Sequence, residues 1–218
     1  MTSGKRYIVT DPRSIVAPRL SKTAIQKAVD DFRATYKKRG NIVPVNVEDI
    51  VEFDLKLELR PVAGIIDACG TDALLLSDRK TIVVDLYEFE HDNLRDRLRF
   101  SIAHEIGHFV LHAEVYRGVS FSSVDQWIEF MEGITDETYE WLEWQANEFA
   151  GRLLVPEDQL RREFAESIKK LKGTPYETMD PLPEPVITTI ARSICGKFGV
   201  SYKPVFSRIQ RIGLWNRS

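Results

Sequence analysis

The chain has 218 residues, 43% hydrophobic and 29% charged, with a net charge of −3. That describes an ordinary soluble globular protein with one substantial domain and room for a small appendage. No apolar run approaches the roughly 18 residues of a membrane span, Met1 to Ser14 holds no apolar signal core, and Cys69 and Cys195 are isolated from each other. This argues against an integral membrane protein, an exported protein and a disulfide scaffold, and it fits a reducing cytoplasm.

In chain order, residues 1–20 read as an irregular leader. Ser21 is placed to cap a helix whose apolar residues Ile25, Ala28, Val29, Phe32 and Tyr36 recur at three and four, with Gly40 as its stop. Asn46 is placed to cap a second, short helix through Val51. Leu55, Leu57 and Leu59 alternate with charges, the period of a half-buried strand. Ala73 to Ser77 and Thr81 to Asp85 flank Asp78-Arg79-Lys80 as a hairpin. Three short antiparallel strands followed by helices predict an α+β domain, a small sheet packed on helices. A sheet edge beside those helices would accept an extended substrate by strand addition.

The segment that follows carries the chemistry. His104-Glu105-Ile106-Gly107-His108 is an H-E-x-x-H pattern, with Leu98, Ile102, Ile106, Phe109 and Val110 at helical spacing around it. Four helical residues advance by about 400°, so His104 and His108 share a face one turn apart and can bind one metal ion. Glu105 is placed to take a proton from a water there and to return it to a leaving amine. The bland alternative is a core helix whose histidines are satisfied by hydrogen bonds. Three of the four histidines lie within nine residues, and the intervening carboxylate favours zinc-assisted peptide hydrolysis. His112 continues the series but lies about 12 Å along a straight helix from His104, too far to share the ion. It reads as a helix-end or pocket-wall residue.

Glu114 to Glu140 contains Phe121, Trp127, Ile128, Phe130, Met131 and Ile134, and it reads either as a lid or recognition segment or as a helix packed on the core. Glu143 to Ala150 then offers a third metal ligand. Glu143 and Asn147 share a helical face. Glu143 would ligate, and the Asn147 carbonyl would accept the N–H of a ligand histidine. Glu140 and Glu148 are rivals for the third position, and Glu148 points about 140° from Glu143 on a helix. A solvated surface charge is the ordinary alternative for Glu143. Glu157 to Lys170 reads as a helix. Gly173, Pro175, Pro181, Pro183 and Pro185 mark a linker or wrapping loop over 172–185, which separates a domain of residues 1–171 from a tail of 186–218.

In that tail, Ile190, Ala191, Ile194 and Phe198 form one helical stripe, Gly199-Val200-Ser201 a turn, and Val205, Phe206, Ile209 and Ile212 a second stripe, in a helix-turn-helix-like arrangement. The tail has six Lys or Arg and no Asp or Glu. A tail of +6 in a chain of −3 leaves about −9 on residues 1–185. DNA contact is one reading of such a tail. Pro204 in the first turn of the would-be recognition helix favours the other, packing on the peptidase domain or on an acidic protein surface.

Two blocks together resemble the ImmA/IrrE family of zinc metallopeptidases: Arg99 to His112 around H-E-x-x-H, and Glu143 to Pro156 with its E-x-x-A-N-x-F-A pattern. The resemblance extends more weakly from about residue 20 to residue 214. It implies His104, His108 and Glu143 as zinc ligands, Glu105 as general base and Asn147 in support. It also implies cleavage of a specific intracellular protein, often a helix-turn-helix transcriptional repressor, in mobile-element or stress control. The gap between the blocks, residues 113–140, is long for this family. Candidates for stabilising the oxyanion are His112, Tyr116 and Arg99. Ligand type favours zinc, although cobalt, nickel or manganese would also suit two histidines and a carboxylate. The rival function is a DNA-binding or protein-binding regulator whose metal site is structural or sensory.

Overall fold

The computed structural model describes residues 11–216; the first ten residues of the expected leader and Arg217 of the basic tail lie outside them. Ser21 caps α1 (Lys22–Thr35) by accepting from the Ala24 N–H, and Ile25, Val29 and Phe32 bury one face of the helix. A single turn, α2 (Lys37–Gly40), follows. Asn46 caps α3 (Val47–Asp49), which continues as a π-helical turn over Ile50–Asp54.

The predicted strand at Leu55–Leu59 starts later, as β1 (Glu58–Val62), because the Leu55 N–H closes the preceding turn on the Ile50 carbonyl at 2.8 Å. Next come α4 (Ile65–Cys69), β2 (Ala73–Leu75) and β3 (Thr81–Asp85). The β2–β3 hairpin forms as the sequence predicts, with Arg79 at φ 54° and Asp78 accepting from the Lys80 N–H at 2.8 Å. The expectation of three antiparallel strands is corrected, because the sheet is mixed. Its order is β1–β3–β2, and β1 runs parallel to β3 with Leu59 opposite Ile82. The α4 crossover carries the chain past the width of one strand, so β3 inserts between β1 and β2. As the central strand, β3 is buried at all five positions.

Helices cover the sheet: α5 (Leu86–Glu90), α6 (Arg95–Leu111), α7 (Ala113–Arg117), α8 (Val124–Gly133), α9 (Asp136–Leu154) and α10 (Glu157–Lys169). The crossing of α6 and α9 positions the site. It is close because Gly107 has no side chain; a Cβ there would lie 3.1 Å from both the Cα and the carbonyl oxygen of Ala146. Residues 15–19 strap the outer face of α9. The Thr138 hydroxyl donates to the Ile15 carbonyl at 3.0 Å, the Gln145 amide donates to the Pro18 carbonyl, and Arg19 pairs with Glu137 and lies over the Trp141 ring.

The tail forms α11 (Glu184–Ile194) and α12 (Tyr202–Arg211), joined by a 3₁₀ turn. Ile187, Ile190, Ala191, Ile194, Val205 and Ile209 share one core with α6 and α9. Gly199 takes φ 59°, and a Cβ on it would press into the Arg99 guanidinium at 2.6 Å. The Trp215 indole N–H donates to the Leu182 carbonyl at 2.7 Å, which fastens the 172–185 segment. Four of the six tail cations are engaged internally: Lys197 with Glu163, Arg211 with Glu148, Arg192 over the Tyr202 ring, and Arg208 buried with its Nε toward the Val155 carbonyl. No described helix is long and apolar enough to cross a membrane.

Candidate metal centre

The helical spacing of His104 and His108 brings their Nε2 atoms to 2.9 Å from each other. The α6–α9 crossing then delivers Glu143. One of its carboxylate oxygens lies 3.2 Å from His104 Nε2 and the other 3.3 Å from His108 Nε2. For a tetrahedral ion with bonds of about 2.0–2.1 Å, ligand atoms sit about 3.3 Å apart. Two imidazole nitrogens and a carboxylate form such a triangle after a small opening between the rings, so the residues fit a divalent metal ion. Among the described residues, His104, Glu105 and His108 are the one group of three or more His, Cys, Asp or Glu with ligand atoms close enough to hold an ion.

Two carboxylates therefore adjoin the histidines, and their hydrogen bonds separate them. Glu105 is buried, and one of its oxygens accepts from the Leu75 N–H at 2.7 Å. Leu75 belongs to β2, an edge strand, so the sheet aims this side chain. Both oxygens of Glu143 instead face the imidazoles, which favours Glu143 as the ligand. The rivals lie elsewhere. Glu140 is exposed, and Glu148 is held by Arg152 at 3.0 Å and by Arg211. Asn147 accepts from His104 Nδ1 at 3.3 Å, which turns Nε2 toward the centre.

The electrostatics follow from burial and pairing. Burial alone would lower His104, but its hydrogen bond to Glu143 and the Glu143 charge raise it to about 9. Burial opposes ionisation of Glu143 as well, yet its pairing with His104 and the closeness of His108 hold it well below the ordinary carboxylate range. A metal ion bound at His104 Nε2 would have to displace the proton there. Burial raises Glu105, partly offset by the charges of His108 and His104. A carboxyl raised above its ordinary range suits proton shuttling.

The three oxyanion candidates separate. Tyr116 lines the cavity at the metal centre, its ring 6.5 Å from that of His108, and burial keeps its phenol strongly protonated. Arg99 is misplaced for such a role, because its guanidinium donates to the Val45 carbonyl and packs against Gly199. His112 is also misplaced for substrate contact. It ends α6 as the sequence predicts, but its ring is buried behind His108, with Nδ1 3.0 Å from His108 Nδ1 and Nε2 3.2 Å from Gln145 Oε1. Burial pushes it down to about 3, so it stays neutral.

The cavity holds about 210 Å³. His104, Glu105, His108 and Glu143 form its floor. Gly70, Thr71 and Ala73 also line it, as do Trp127, Phe130 and Met131 of α8. The two readings of the 113–140 segment converge, since the same side chains pack α8 on the core and wall the cavity. The α4–β2 residues and Leu142 are additions that no local pattern announced. Their approach depends on tertiary packing.

A helix-borne His-Glu-x-x-His group with a second carboxylate beside it defines the class: a metal-dependent peptidase. The model of the IrrE N-terminal-like domain, Peptidase M78, matches residues 89–209, more than half of the chain. The chain belongs to that family and carries its metallopeptidase domain. No curated protein matches it.

Proposed function

We propose that the protein is a zinc metalloendopeptidase that cleaves a regulatory protein at a specific site, with a helix-turn-helix transcriptional repressor as the substrate that the family resemblance favours. The observation that carries this reading is the convergence of His104 Nε2, His108 Nε2 and both Glu143 oxygens on one point, with Glu105 held beside it by Leu75. In this reading His104, His108 and Glu143 hold the ion, and Asn147 orients His104. When bound, zinc supplies Lewis acidity to the scissile carbonyl and to the attacking water. Glu105 takes the proton of that water and hands it to the leaving amine. In the same reading Tyr116, neutral and lining the cavity, donates to the developing oxyanion. Ala73 of the edge strand β2 and the α8 residues line the cavity, which would take an extended segment.

The rival DNA-binding reading is weakened, since four of the six tail cations are engaged within the molecule. The family match runs through α11 and most of α12, which supports reading the 172–185 segment and the tail as built onto the peptidase domain.

The test compares new protein N-termini in cells expressing the wild type or Glu105→Gln. We expect new termini in one or two proteins, reduced by about 10²–10⁴-fold in the variant while it keeps its metal. Equal cleavage by Glu105→Gln would sink the mechanism.

A further inference from the structure

His112 and Gln145 are 1% and 0% exposed, and the mechanism above uses neither of them. Together they connect His108 to the N-terminal strap. The Gln145 amide N–H donates to the Pro18 carbonyl oxygen, which is only an acceptor. That contact fixes which way the amide points, so its own carbonyl, Oε1, faces His112 Nε2 at 3.2 Å. A carbonyl accepts, and the proton of His112 therefore sits on Nε2. A neutral imidazole with its proton there presents a lone pair at Nδ1. That lone pair lies 3.0 Å from His108 Nδ1, so His108 is the donor of the pair. The free lone pair of His108 is then on Nε2, the atom 2.9 Å from His104 Nε2 and 3.3 Å from Glu143.

We propose that His112 and Gln145 are positioning residues that set the tautomer of His108 and tie its ring, through the Pro18 carbonyl, to the strap along α9. The relay rests on the reading of His108 as a metal ligand. It makes the two histidines unequal. Asn147 orients His104 directly, whereas His108 is oriented through two buried side chains that end on a backbone carbonyl 127 residues from Gln145. The same strap bonds to Thr138 and Glu137 on α9, the helix that carries Glu143, so ligand orientation and helix position are anchored by one segment. Outer partners of this kind tune metal affinity by about 10–100-fold.

The test has two readouts that do not depend on turnover. Two-bond ¹H–¹⁵N correlation spectra assign the histidine tautomers in the wild type, both metal-stripped and zinc-loaded. Chelator competition gives zinc affinity for the wild type, His112→Phe and Gln145→Leu. We expect His112 protonated at Nε2 in both wild-type samples, His108 protonated at Nδ1 before zinc is added, and affinity lowered about 10–100-fold in each variant. His112→Phe keeps a ring in place but removes the acceptor, so a space-filling role would leave affinity unchanged. His112 found with its proton on Nδ1, or both variants within twofold of a zinc-binding wild type, would overturn the relay. If a variant fails to fold, the wild-type spectra decide alone. A wild type that binds no zinc overturns the metal reading itself, which is a separate result.

Discussion

Glu143 and Glu148 lie five residues apart on α9, on opposite sides of the helix. Glu148 is 1% exposed and is held by Arg152 of its own helix and by Arg211 of the tail. Arginine stays charged at any working pH, so this carboxylate is compensated permanently. Glu143 is 27% exposed and faces two imidazoles, whose charge depends on a proton. Its compensation is exchangeable, by a proton or by a metal ion. The same residue type on one helix thus yields a strut on one side and a candidate metal ligand on the other. The identity of the partners decides between them, and a carboxylate with fixed cationic partners has nothing left to offer a ligand.

Exchanging each carboxylate for its amide should give distinct phenotypes. Glu143→Gln should lose most zinc affinity and the zinc-dependent rise in Tm, together with the metal-stripped stability that its pairing with His104 contributes. Glu148→Gln should keep zinc but lose up to about 3 kcal/mol in denaturant melts, discounted because Arg211 is 37% exposed. Matching phenotypes in the two variants would erase the distinction.

Gly107→Ala tests the crossing that delivers Glu143. With Ala146 backbone 3.1 Å from the new Cβ, α9 has to move away, at a cost of about 1–3 kcal/mol. Zinc affinity should fall with stability. A variant as stable and as tight as the wild type would show that the crossing is not the constraint.

The smallest effect is a pH dependence. Because His104 is raised to about 9, it loses a proton when zinc binds, so zinc affinity should climb as pH rises toward 9, by up to about tenfold per unit. For the metal-stripped protein the sign reverses. The raised His104 contributes stability that is complete below its ordinary value of 6.5 and is lost as pH rises through about 9. The depressed Glu143 contributes stability that is present above its ordinary value of 4.5 and is lost as pH falls below it. Melts across pH should therefore peak between those ordinary values, and a flat profile would contradict the pairing.

The elements that were legible in the sequence are those whose cause is local. The i, i+4 spacing placed His104 and His108 together, and the same spacing paired Glu143 with Asn147. Turn residues located the β2–β3 hairpin. The parallel pairing of β1 was not legible, because the path of α4 sets it rather than any pattern within β1. The Gln145–Pro18 contact joins residues 127 apart in sequence, and no local pattern announces it. Arg99 is different. Five residues at about 100° each place it some 140° around the helix from His104, so its phase already pointed away from the metal.

The most direct measurement is zinc K-edge X-ray absorption on the zinc-loaded wild type, Glu143→Gln and Glu148→Gln. The account predicts two imidazole ligands and oxygen ligands at about 2.0–2.1 Å in the wild type and in Glu148→Gln, and a changed or lost shell in Glu143→Gln. A wild-type shell without two imidazoles, or a shell altered by Glu148→Gln and untouched by Glu143→Gln, would contradict it.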